Sequence, residues 1–273
     1  MKKCLLAICL FYLFGMLQAQ DAQENFLKGQ ELLKQSNFEE ALKCFEKAWK
    51  LDKSKESYKR EYMLLRQVIK VRQYLPKESN QEKWASMAYS LYTYYTQCKA
   101  YDEMIAIAKE IHEKVSNDDS FLLVAETYIL TQKNKEAIQW ISPAKPLSPF
   151  LNILYAIALA RTGEIEESKK IYGELAKKDQ KNVFYIFYKA SLESLIGYKE
   201  TALKTLAVCF KYTPSAQLVL LQERAMELPD FKALHQDQAF KEVMKIRSML
   251  PESSCSEGKD CSTCPSRSKC GGQ

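Results

Sequence analysis

The sequence predicts an all-α fold built from stacked pairs of short helices. Three observations predict it. Apolar residues recur at three- and four-residue spacing through most of the chain, the period of a helix that buries one face. Most of the 8 Gly and 8 Pro among the 273 residues fall between these periodic stretches or towards the two ends, so they punctuate rather than interrupt them. A pattern of small and large apolar residues returns about every 33 positions. One pair of short helices cannot bury its own apolar stripe, so a recurring pair implies neighbours stacked beside it. With 47% hydrophobic and 27% charged residues, the composition is that of an ordinary globular chain.

Residues 1–19 read as a secretory signal peptide. Lys2 and Lys3 form a short positive start, Leu5 to Leu17 an apolar run, and Ala19 a small residue for cleavage before Gln20. The competing reading is an N-terminal membrane anchor, for which the run is short. A lipoprotein reading meets Ile8 before Cys9, where a small residue is expected. No later stretch is long and apolar enough to span a bilayer. Residues 20–250 then form the helical-repeat domain, with a C-terminal cap at about 229–250, and residues 251–273 a disordered tail.

The repeats are clearest in Asn25 to Lys53. Gly29 and Leu32 mark a first helix, Gln35-Ser36-Asn37 a polar turn, and Phe38, Ala41, Phe45 and Ala48 a second. The stretch around Tyr62, Leu65, Val68 and Ile69 is helical but carries no repeat signature, and Leu75-Pro76 stops it. The next pair has Ala88, Tyr92 and Tyr95, a turn at Cys98-Lys99-Ala100, then Met104, Ala108 and Ile111. Ser116 to Asp119 caps a further helix. Ala125 and Tyr128 pair with Ala137, Ile141, Ala144 and Pro149, and Pro143 and Pro146 must shorten that second helix. Ala156 and Leu159 pair with Ser168, Tyr172 and Leu175 across Thr162-Gly163. Ala190 pairs with Ala202, Leu206 and Pro214 across Ile196-Gly197. Met104, Ala137, Ser168 and Ala202 lie 33, 31 and 34 residues apart, which makes four or five repeats plus the odd helix near Tyr62.

Gly29, Leu32, Ala41, Phe45 and Ala48 resemble a tetratricopeptide repeat (TPR). The usual Trp at the start and Pro at the end are replaced by Asn25 and Lys53. The resemblance implies a right-handed α-solenoid of antiparallel helix pairs, whose first helices line a concave groove that binds a protein or peptide. By register the groove residues are Phe26, Gln30, Tyr89, Thr93, Leu122, Glu126, Ile153, Ile157, Phe187 and Ser191. The competing role for these side chains, several of them large and apolar, is packing between layers. Pro229, Asp230, Phe231, Leu234, Asp237 and Phe240 resemble an ending common in secreted bacterial repeat proteins. Phe231 and Leu234 would plug the open end of the last repeat.

The formal net charge is +6, or about +4 once Lys2 and Lys3 leave, with signs mixed along the chain. No basic run carries regularly placed aromatics, so a nucleic-acid surface is not indicated. No phosphate-binding Gly motif occurs, and His112 and His235 sit in no zinc or nucleophile pattern. No catalytic constellation is visible, and none of these features makes the chain an enzyme. Cys44, Cys98 and Cys209 fall on helical stripes or turns and read as packing residues.

After Pro251 the large apolar residues stop. Cys255, Cys261, Cys264 and Cys270 are spaced C-x5-C-x2-C-x5-C. Four thiolates so close can ligate zinc or an iron–sulfur cluster, or form two disulfides in an oxidising compartment, or do neither. A thiol oxidoreductase would also use the Cys261–Cys264 pair, but the βαβ setting of such enzymes is missing. The sequence therefore supports an exported binding scaffold in the periplasm of a Gram-negative bacterium. The alternative is a metal-binding or disulfide-exchanging protein that acts through its tail.

Overall fold

The computed structural model describes residues 2–144, 147–175 and 182–250, with side chains from residue 18 onward. The described residues are all-α, in thirteen α-helices and two short 3-10 segments. They fall into two compact units that divide between Gln132 and Lys133. Five sequential helix pairs carry the repeat signatures, and α3 is the odd helix among them. The signature of Ala125, Tyr128, Ala137 and Ile141 gives its first helix to one unit and its second to the other. No helix among the described residues is long and apolar enough to cross a membrane.

The first unit holds α1 (Lys2–Lys34), α2 (Phe38–Leu51), α3 (Glu56–Tyr74), α4 (Gln81–Cys98), α5 (Tyr101–Val115) and α6 (Asp118–Leu130), with a 3-10 segment at Leu75–Lys77. The boundary expected at residues 19 and 20 lies inside α1, and Ala22 is already buried with Ala48 and Tyr58. The turn after α1 closes as its sequence suggests. Ser36 takes a left-handed φ of 59°, and the Ser36 and Asn37 amides donate to Leu33 and Leu32 carbonyls at 2.9 Å. Gly29 lets α2 come close: a Cβ there would meet Phe45 Cε1 at 2.6 Å. Phe38, Ala41, Phe45 and Ala48 are fully buried, so the small residues do mark the close approach.

The later helices of this unit are held by caps and charged edges. Asn80 accepts from the Lys83 amide at 2.9 Å to start α4. Asn117 and Ser120 form a reciprocal capping box that starts α6, and Ser120 Oγ also meets His112 Nδ1 at 3.0 Å. Arg72 of α3 sits over the Phe38 ring at 4.3 Å and pairs with Glu103 of α5 at 3.0 Å. The odd helix is thereby fixed to its neighbours by a cation on an aromatic face as well as by Leu65 and Val68.

The second unit holds α7 (Asn134–Ile141), α8 (Pro149–Arg161), α9 (Ile165–Leu175), α10 (Val183–Leu195), α11 (Lys199–Lys211), α12 (Ser215–Glu227), a 3-10 segment (Pro229–Leu234) and α13 (Gln238–Val243). α7 stops at Ile141 after eight residues, just before Pro143. α8 and α10 pack against each other and are apolar nearly all round, as helices inside a core are. Ser168, at the small position of its repeat, is buried and donates from Oγ to the Ala156 carbonyl at 2.9 Å. Phe231, Leu234 and Phe240 are buried in the stretch from Pro229, the expected cap.

Candidate partner-binding surface

The structure divides the ten groove residues expected from the register. In the first unit Gln30, Tyr89 and Thr93 are exposed, and Phe26, Leu122 and Glu126 are half-buried. In the second unit Ile153, Ile157, Phe187 and Ser191 are fully buried. These four are therefore core residues rather than groove residues. α8 and α10 pack on each other through Ile153, Ile157 and their neighbours, and the cap lies over α10, where Phe187 meets Phe231 at 5.7 Å between ring centroids.

The exposed set shares a physical layout. Tyr89, Thr93 and Gln97 are spaced i, i+4, i+8 along α4 and so form one stripe. Phe26 and Gln30 stand one turn apart on α1, and Leu122 and Glu126 one turn apart on α6. α4 and α6 are tied by the Tyr92 and Thr127 hydroxyls, 3.0 Å apart.

The α4 stripe runs into a cleft of about 400 Å³ between α1, α3 and α4. Gln30, Leu33 and Lys34 line it from α1, Glu61 and Leu64 from α3, and Tyr94, Gln97 and Cys98 from α4, with Lys99 at its turn. The Tyr94 hydroxyl is buried and has no hydrogen-bond partner among the described residues. Burial pushes its pKa far up, so the phenol stays protonated. A buried hydroxyl without a partner costs about 1–3 kcal/mol, which an acceptor that gained access to it would recover.

The cleft suits recognition. Leu33 and Leu64 give it an apolar wall, Gln30 and Gln97 give amides that can both donate and accept, and Lys34, Lys99 and Glu61 give charge of both signs. Sequence reasoning found Gln30 and missed Tyr94, Gln97, Glu61 and Leu64. Gln97 was within reach by extending the Tyr89–Thr93 stripe one turn. The α3 residues were not, because α3 lies outside the repeat signature.

Cys98, on the cleft wall, has its thiol pushed up to about 11 by burial, and Cys209, inside the second unit, up to about 12. Cys44, Cys98 and Cys209 are free thiols. At pH 8 a thiol with its pKa near 11 carries roughly a hundredfold less thiolate than one near 9. Iodoacetamide is therefore expected to alkylate Cys98 about a hundredfold more slowly in the native protein than in urea, read by peptide mass mapping. Equal rates would mean that Cys98 is not packed as described.

The second unit holds two polar clusters that the sequence did not reveal. Arg161, at the end of α8, donates from Nε and Nη2 to the two carboxylate oxygens of Asp230 at 2.7 and 2.8 Å. Ser191 Oγ also donates to that carboxylate, and Ser194 Oγ donates to the Asp230 carbonyl at 2.7 Å. Ser191, expected in the groove, thus holds the cap. Glu193 is buried in α10 and accepts from the Tyr172 hydroxyl at 2.7 Å, with Lys189 at 3.9 Å. Burial raises the Glu193 pKa against the opposing effects of Thr205, Tyr172 and Lys189.

No group of three or more His, Cys, Asp or Glu among the described residues could hold a metal ion. Cys255, Cys261, Cys264 and Cys270 lie outside the described residues, and with them the zinc, iron–sulfur and disulfide readings of the tail.

No family model and no curated protein sequence matches the chain. Among solved structures it is similar to a tetratricopeptide repeat protein from Parabacteroides merdae, at 15% identity and a TM-score of 0.40, covering 83% of this chain and 98% of that one. It is also similar to YrrB, described as a TPR protein with an unusual peptide-binding site, at 16% identity and 0.32, covering 75% and 92%. A third is pilF of Pseudomonas aeruginosa, at 14% and 0.37, covering 80% and 97%. The repeat assignment rests on the chain's own helix pairs: glycine against phenylalanine in the first, and buried residues at the recurring positions Met104, Ala137, Ser168 and Ala202, small at all but the first of these.

Proposed function

We propose that the chain is an exported, non-catalytic scaffold that binds a peptide segment of a partner protein on the first unit. The segment lies along the α1, α4 and α6 stripes and ends in the cleft below Gln97. The observation that carries this reading is the buried, unpartnered Tyr94 hydroxyl in a cleft edged by two exposed amides. A peptide backbone offers the alternating carbonyls and amides that such groups pair with, and Leu33 and Leu64 offer a seat for one apolar side chain. Fold alone names no partner.

Position-specific photo-crosslinking in the native cell envelope tests it. A photoreactive residue in place of Gln97 is expected to capture a defined partner, and one in place of exposed Lys47 on α2 is not. Tyr94→Phe should then weaken that partner's binding about two- to tenfold, the worth of one hydrogen bond. Equal capture from both positions, or full affinity after Tyr94→Phe, would assign binding to another surface.

A further inference from the structure

Residues 52–80 hold eight Lys or Arg against four Asp or Glu, so this short stretch carries +4 of the chain's net +6. The remaining +2 equals Lys2 and Lys3, and the rest of the chain is balanced. The stretch is α3 with its two connections, the one helix without a repeat signature. Its inner face is buried through Tyr58, Leu65 and Val68. On its outer side Met63 and Tyr74 are about half exposed, at 49% and 53%.

Cations frame these two apolar residues. One cleft of about 530 Å³ is lined by Arg60, Met63, Arg66 and Lys70 among others, and a second of about 470 Å³ by Lys70, Tyr74 and Lys77 among others. Lys70 belongs to both, so the two run on along the helix. Arg66, Lys70 and Lys77 make no ion pair among the described residues, and Arg60 only a loose one of 3.8 Å with Glu61. Met63 and Tyr74 are eleven residues apart, three helical turns or about 16 Å.

We infer that this outer face of α3 is a second docking site, for an acidic amphipathic helix of a partner protein. Charge decides the occupant: four cations without a carboxylate in either cleft call for Asp or Glu on the partner. The two apolar contacts three turns apart call for a helix with apolar residues at matching spacing. Two half-exposed apolar residues in one line match the stripe of a helix, whereas a bilayer takes up a broad apolar face.

The test uses the full chain and a fluorescent peptide of about twenty residues, long enough for the three turns. It carries Leu on one face and Glu beside it, with a scrambled peptide of equal composition as control. Anisotropy should show binding of the first peptide and at least about tenfold weaker binding of the second. Raising salt from about 50 to about 300 mM, and the variant Arg66→Glu with Lys70→Glu, should each weaken it about tenfold or more. Lys43→Glu with Lys47→Glu, on α2, should leave it unchanged. Met63→Ser should weaken binding without altering the salt dependence. Absence of binding by the first peptide, equal binding of the scrambled one, or indifference to the α3 reversal would overturn the inference. So would a reversal-sensitive binding of phosphatidylglycerol vesicles where the peptide does not bind, which would make the face a membrane contact.

Discussion

Asp230→Ala is expected to destabilise the second unit by about 3–5 kcal/mol, because it takes the carboxylate away from a buried guanidinium. The Arg161 and Asp230 side chains are 5% and 0% exposed, so water cannot replace the lost partner. Both oxygens of the carboxylate are used, one by Nε and one by Nη2, and Ser191 adds a third donor. A further contact of the guanidinium, Nη1 to Asn134 Oδ1 at 3.3 Å, is to a neutral group. The pair is long-range: it fastens the cap after α12 to the end of α8, with α10 between them through Ser191 and Ser194. Urea unfolding with hydrogen exchange read over residues 183–250 measures the effect. Protection should fall there and hold in residues 22–130. Arg161→Met with Asp230→Leu should recover much of the loss, since an apolar pair of similar volume avoids burying charge at all. A loss below about 1 kcal/mol in Asp230→Ala would mean that Phe231 and Leu234 hold the cap without the ion pair.

The first helix pair was legible because its determinants are close in sequence. Gly29, Ala41, Phe45 and Ala48 lie within twenty positions and repeat at a fixed period, so spacing alone locates them. The Arg161–Asp230 pair was not, because its members are separated by 69 residues and charge has no period. The groove register failed in the second unit for a reason the sequence does contain. α8 reads PFLNILYAIALAR, interrupted only by Asn152 and Arg161, and α10 is nearly as apolar. A helix that is apolar all round has no face left for a groove. α4 differs: Gln81, Ser86, Ser90, Thr93 and Gln97 leave it a polar side, and Tyr89 and Thr93 are exposed there. The cleft needed the fold, since α3 reaches α1 and α4 only in three dimensions.

The second large effect is expected where the repeat signature is strongest. Phe45→Ala removes a fully buried ring and should cost the first unit about 3–5 kcal/mol, through lost transfer energy and the cavity left behind. Gly29→Ala tests the same contact from the other side. Alanine would raise helix propensity by about 1 kcal/mol. Its Cβ, however, would lie 2.6 Å from Phe45 Cε1 and 2.8 Å from Cδ1. The ring cannot swing clear, because Phe26 stands 5.3 Å away between centroids and its own exposure is nil. Overpacking of about 1–3 kcal/mol therefore outweighs the gain, and Gly29→Ala should be destabilising. Coupling is the sharper measurement. With Phe45→Leu, which clears part of the space, Gly29→Ala should lose most of its penalty, so the double variant should be more stable than the two single effects predict together. Trp49 and Trp84 lie in the first unit and Trp140 in the second, so in a Trp140→Phe background fluorescence during urea unfolding reads the first unit. Strict additivity would show that the helices part rather than clash, and that close approach at Gly29 is not what sets the spacing of α1 and α2.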